Sequence, residues 1–147
     1  MKSVLTLMAL LTFLGSSCSN EKIGNGFDAN FDIVDNESTK LSLIVVSHFS
    51  LYTNTELKLE REYGKHYKDS LLIPLVESIS RNIVKEYSAG EIYNYKRSEI
   101  EQKIIEQTRN AFASHDITLE KLFIGSVELS DELRERLVKE HVERVKK

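Results

Sequence analysis

Tryptophan is absent from this chain, proline occurs once, at Pro74, and cysteine once, at Cys18. A lone thiol has no intramolecular partner, so a disulfide-stapled fold is excluded and stability must come from a packed core. A basic excess is lacking as well. The formal net charge is −3, against the positive footprint that nucleic-acid binding requires. No apolar run reaches the roughly 20 residues that a transmembrane helix needs. The histidines, His48, His66, His115 and His141, are scattered with no HxxxH-type pair. A Gly-rich phosphate loop is missing too, because Gly24-Asn25-Gly26 lacks a strand-to-helix context. Internal repeats and low-complexity tracts are not evident. What remains is ordinary: 147 residues, 41% hydrophobic and 29% charged, enough for one domain with a real core.

The N-terminus is organised like an export signal. Lys2 supplies a positive start, Val4 to Leu14 an apolar run, and Gly15-Ser16-Ser17 small residues before Cys18. At about 11 residues the run fits a signal h-region. Its ending is similar to a bacterial lipobox, although such a motif prefers a branched aliphatic residue where Gly15 stands. On this reading residues 1–17 are a signal peptide and the mature chain begins at a lipid-modified Cys18, carrying acyl chains such as palmitate. The chain would then be a lipoprotein of the bacterial cell envelope, facing the periplasm. An ordinary cleaved signal and an uncleaved inner-membrane anchor are the alternatives.

Residues 18–30 read as a flexible linker, because Asn20, Gly24, Asn25, Gly26, Asp28 and Asn30 are turn formers with little to bury. Asp28, Asn30 and Asp32 have calcium-loop spacing. The match fails where Ile33 replaces the turn glycine and Thr39 the bidentate glutamate. No metal site and no cofactor site is expected.

The domain is expected over residues 31–147. Phe31–Val34 is a short strand candidate, followed by a turn at Asp35–Ser38. Leu41–Tyr52 is the strongest strand, with Leu41, Leu43, Val45, Phe49 and Leu51 on one face. A short helix should end at Tyr63 before a Gly64 stop. A longer helix is expected from about Asp69 to Tyr87, with Pro74 in its first turn. Ser88 and Glu91 fit a capping box. Ser98 to about Ser114 is amphipathic, Ile117–Leu129 reads as a strand, and Ser130 caps a final helix. That helix has an apolar stripe of Leu133, Leu137, Val138, Val142 and Val145. The predicted class is α+β: a small antiparallel-type sheet packed with several amphipathic helices, ending in a C-terminal helix.

Catalytic candidates are weak. Glu60 with Glu62, and Glu99 with Glu101, stand at i,i+2 and do not face each other on a helix. His48 is expected to be a structural histidine on the long strand. Arg97 is expected in an ion pair with a helix carboxylate, and Tyr87, Tyr93 and Tyr95 at the edge of the core. No catalytic residue is assigned.

The segment Leu41–Val142 resembles the prohibitin, stomatin and flotillin superfamily, the band 7 or SPFH domains. The motifs run in order: the strand after Asp35-Asn36-Glu37, Tyr63-Gly64, Tyr67 leading to Leu72-Ile73-Pro74, and Lys85-Glu86-Tyr87-Ser88-Ala89-Gly90-Glu91-Ile92-Tyr93. Arg97, Asp116-Ile117 and Ser126-Val127-Glu128-Leu129-Ser130 follow. The family's first strands are mostly missing between Cys18 and Phe31, and its long coiled coil does not follow Lys147, so large ring assemblies are not expected. The resemblance implies a non-enzymatic, membrane-anchored scaffold that organises or modulates membrane proteins or proteases. A homo-oligomer is compatible with it. The alternative is a soluble or lipid-anchored periplasmic binding module, which would need a deep apolar pocket.

Overall fold

A computed structural model describes residues 20–146. The segment 1–17 expected to be a signal peptide and the lipidation candidate Cys18 lie outside the described residues. The elements run β1 (Lys22–Val34), β2 (Lys40–Tyr52), α1 (Thr53–Tyr63), α2 (Ile73–Val84), α3 (Arg97–Ala113), β3 (Thr118–Glu128) and α4 (Asp131–Val145). Two π-helical turns, Lys68–Leu72 and Glu91–Tyr95, lead into α2 and α3. The α+β expectation holds: three antiparallel strands form one sheet, with β2 between β1 and β3.

Strand alternation builds one apolar layer. Phe31 and Ile33 of β1 pair with Leu43 and Leu41 of β2, and Leu43 and Val45 pair with Val127 and Ile124 of β3. All of them are buried. Against this face lie α2, through Val76 and Ile83, and α3, through Ile100, Ile104 and Phe112. Phe49 meets Phe112 edge-on with ring centroids 5.8 Å apart, the geometry that aromatic quadrupoles favour.

The reading of 18–30 as a linker is corrected for Lys22–Asn30, which is strand paired with Ile44–Tyr52. Ile23, Phe27 and Ala29 alternate inward as Phe31 and Ile33 do, and of the two glycines between them Gly26 stands where a side chain would crowd β2. A Cβ on Gly26 would stand 2.9 Å from the Ser47 carbonyl oxygen and 3.2 Å from His48 Nδ1. The single long helix expected over Asp69–Tyr87 is also corrected. Its α-helical part is Ile73–Val84, with Pro74 in the first turn where its missing N–H costs nothing. Tyr87 lies in the following turn.

Local signals hold at several joints. Gly64 ends α1 at φ 85°, where a side chain would be strained, and its N–H donates to Glu60 O at 2.9 Å. Ser88 and Glu91 form the expected reciprocal box: Ser88 N–H donates to Glu91 Oε2 at 3.1 Å, and Glu91 N–H to Ser88 Oγ at 3.4 Å. Ser130 Oγ accepts from Leu133 N–H at 3.4 Å. In α4 only Leu133 and Leu137 are buried, whereas Val138, Val142 and Val145 are exposed. The inward stripe is shorter than the sequence pattern because the helix projects past the body that covers it.

Candidate functional site

Three places gather polar side chains: the joint between the β1–β2 turn and the segment after α2, the bulged edge of β3, and the outer face of the sheet. At the first, Asp35 is buried and its carboxylate accepts three backbone N–H groups. These are Glu37 at 2.9 Å, Thr39 at 2.7 Å and Ala89 at 2.6 Å. Asn36 N–H adds a bond to Tyr87 O at 3.0 Å. The Asp35-Asn36-Glu37 and Lys85–Tyr93 phrases, far apart in sequence, are thus hydrogen-bonded to each other.

Tyr87 continues this joint into α3. Its hydroxyl donates to Glu99 Oε1 at 2.9 Å and accepts from Lys103 Nζ at 2.5 Å. The Tyr87 hydroxyl, with Lys103 adding, holds the Glu99 carboxyl below its usual value. Lys96 holds Glu91 low in the same way, with the Ser88 N–H adding. The tyrosines do not form one recognition surface: Tyr87 is buried, Tyr93 half-buried, and Tyr95 exposed beside His141, 3.2 Å away.

The ion pair expected for Arg97 is corrected. Its guanidinium donates to the backbone carbonyls of Ile124 and, at 3.1 Å, Gly125. One turn later Glu101 accepts the Ile124 N–H at 2.8 Å. A register shift at this point of β3 turns these groups away from β2, so they need partners. Glu99 and Glu101 accordingly diverge, one to Tyr87 and the other to β3.

His48 is exposed on the outer face rather than structural, opposite Gly26 and Lys121. His66 is exposed beside Asp69, and His115 packs edge-on against Tyr63. Asp28, Asn30 and Asp32 stand in a row on the outer face, about 7 Å apart along the strand, which is no cage for a cation. Ser42 Oγ donates to Asn30 Oδ1 at 2.6 Å and lies 3.1 Å from Asp32 Oδ1. No metal-binding cluster of His, Cys, Asp or Glu occurs among the described residues. The same face carries half-buried Ile44, Val46 and Phe123, with Lys121 Nζ 4.9 Å over the Phe123 ring. Concavities open to solvent include one of about 320 Å³ at the β1–β2 end beside Ile33 and Leu41. Another, a polar groove of about 290 Å³, lies between α4 and the Ser88–Tyr95 segment. No helix among the described residues is long and apolar enough to cross a membrane.

The sequence matches the model of the SPFH domain / Band 7 family over residues 31–147. The chain belongs to this family. A comparison with curated proteins found no match. The motifs that carried the resemblance are the joints of this band 7 domain: Asp35 with Ala89, Tyr87 with Glu99, and Arg97 with the β3 bulge. Sequence reasoning missed Asp35 and Glu101. An aspartate before Asn-Glu reads as a plain turn former, and nothing in a helical pattern says which carboxylate will meet a strand.

Proposed function

We propose that this band 7 domain is a non-enzymatic scaffold, anchored to the membrane of a bacterial cell envelope by a lipid on Cys18 and acting through contacts with membrane proteins or proteases. Family membership over residues 31–147 carries the reading. The start of β1 at Lys22 sharpens it. Only Ser19, Asn20 and Glu21 separate the strand from Cys18, a reach of about 14 Å even when fully extended. An acylated Cys18 would therefore hold the sheet close to the headgroups instead of on a long tether. Each buried CH₂ contributes about 0.8 kcal/mol, so a single chain binds reversibly and two or more anchor stably.

The test is mass spectrometry of the protein from the membrane fraction, wild type beside Cys18→Ala. A diacyl or triacyl mass on Cys18, with release of the variant into the soluble fraction, is the expected result. Crosslinking in intact membranes then captures the protein partners. An unmodified mature chain in the soluble fraction would overturn the anchored scaffold and favour a periplasmic binding module.

A further inference from the structure

The two edges of the sheet are finished differently. On β3, Glu101 and Arg97 take the N–H and C=O of Ile124, and register shifts at Ile44/Val45 and His48/Phe49 break the ladder to β2. Side-chain caps and bulges blunt an edge. The pairing of β1 with β2 runs from Lys22 to Val34 without a shift, and the strand contains no proline. Thr53 N–H donates to Glu21 O at 3.0 Å and Asp35 N–H to Thr39 O at 3.1 Å. Odd-numbered residues of β1 therefore bond to β2, and even-numbered ones point their N–H and C=O away from it. Among the described residues, no other backbone group reaches those of Gly24, Gly26, Asp28, Asn30 or Asp32.

The side chains along this edge carry one sign. Asp28, Asn30 and Asp32 are exposed on the outer face. Ser42 bridges Asn30 and Asp32 but brings no charge. Among the described residues, no lysine or arginine forms an ion pair with Asp28 or Asp32. The Lys22 ammonium is drawn across β2 to Glu120. On the core side Phe27 is only half-buried, its ring 6.1 Å from that of Phe49. The edge thus offers bare backbone donors and acceptors, with acids on one face and apolar surface on the other.

We propose that β1 is the docking edge for an extended basic segment of a partner protein, added antiparallel as a further strand. Such docking rests on the scaffold reading above and is independent of the lipid on Cys18. Partner residues directly opposite Asp28 and Asp32 share the outer face with them, so lysine or arginine belongs there. The residues between them fall on the core face beside Phe27, Ala29 and Phe31, and are apolar. Gly24 and Gly26 carry no side chain to obstruct a long basic one. Main-chain bonds supply affinity and the alternate side chains selectivity, because an acidic strand is repelled and a neutral one leaves two carboxylates unmatched.

Hydrogen exchange of the full-length chain in mild detergent, with and without an end-blocked peptide alternating lysine with valine, tests it. With peptide, the amides of Gly26, Asp28, Asn30 and Asp32 are expected to exchange about tenfold more slowly or better. Odd-numbered β1 amides, already bonded to β2, should change little. The same peptide N-methylated at its lysines keeps the charge but lacks the donors facing β1, and is expected not to bind. A glutamate–valine peptide is expected not to bind either. Asp28→Asn with Asp32→Asn alters only exposed side chains; it should weaken binding about fivefold and leave the melting profile unchanged. No binding of the lysine peptide at high micromolar concentration, binding that survives N-methylation or the double variant, or protection outside the even-numbered amides would each overturn the proposal. So would even-numbered amides that are slow without peptide, the mark of a second copy already on the edge. Failure on any of these counts leaves the acyl mass on Cys18, and with it the anchor, as a separate result.

Discussion

Asp35 and Tyr67 show how single side chains answer burial in opposite ways. Asp35 meets it with three backbone N–H donors, the arrangement that makes a buried carboxylate tolerable. Tyr67 is also buried, and its hydroxyl donates to the Glu56 carboxylate at 3.4 Å. Burial, and then the negative charge of Glu56, push its phenol from 10.0 up to about 12. The neutral phenol is the form that the fold accepts. Its contribution to stability is thus complete below pH 10.0 and is lost as pH rises toward 12. In an alkaline absorbance titration, one phenol should ionise late relative to the other tyrosines. Tyr67→Phe should delete that late step alone. A late step that persists in the variant would assign it to another tyrosine.

Between elements, α3 holds β3 through Arg97 and Glu101, one helical turn apart, which grip the bulge at Ile124 and Gly125. Arg97→Met keeps the helix and the bulk of the side chain but leaves two carbonyls without a charged donor. Hydrogen bonds to charged groups contribute about 1.5–3 kcal/mol each before solvent screening. A loss of about 2 kcal/mol in urea unfolding is expected, with faster amide exchange in β3 than in β1. Unchanged exchange in β3 would show that the clamp holds nothing. Elements whose burial follows from period were legible in advance: β2 from its alternating Leu41, Leu43, Val45 and Phe49, and α3 from Ile100, Ile104 and Phe112. The first half of β1 was not, because Gly24, Asn25 and Gly26 carry loop propensities while their strand state is imposed by β2. Arg97 was singled out correctly, but its partner was not legible, since a bulge carbonyl leaves no mark in the sequence. The site candidates depended on such tertiary partners, whereas the fold class depended on periodicity.

Across the whole molecule, the depressed carboxyls sit where elements meet. Glu120 on β3 accepts from Ser50 of β2 and Lys22 of β1, spanning all three strands. The Ser50 hydroxyl and then the Lys22 ammonium hold it below 4.5. Glu99 ties α3 to the turn after α2, and Glu91 ties the capping box to Lys96, each lowered from the same value. A carboxyl lowered by folding contributes stability that is present above its unfolded value and is lost as pH falls through the folded one. Glu99 and Glu120 are exposed and Glu91 is partly so, so solvent screens each contribution. They share a sign and a pH window, however, and they act at different joints, so their losses coincide and distant sites add. Stability should thus be level near neutrality and fall as pH drops below about 4.5. The triple variant Glu91→Gln, Glu99→Gln, Glu120→Gln should be less stable at neutral pH and should lose much of that acid slope. Urea midpoints across the acid range check this. A slope in the triple variant equal to that of wild type would place the acid sensitivity in other carboxylates.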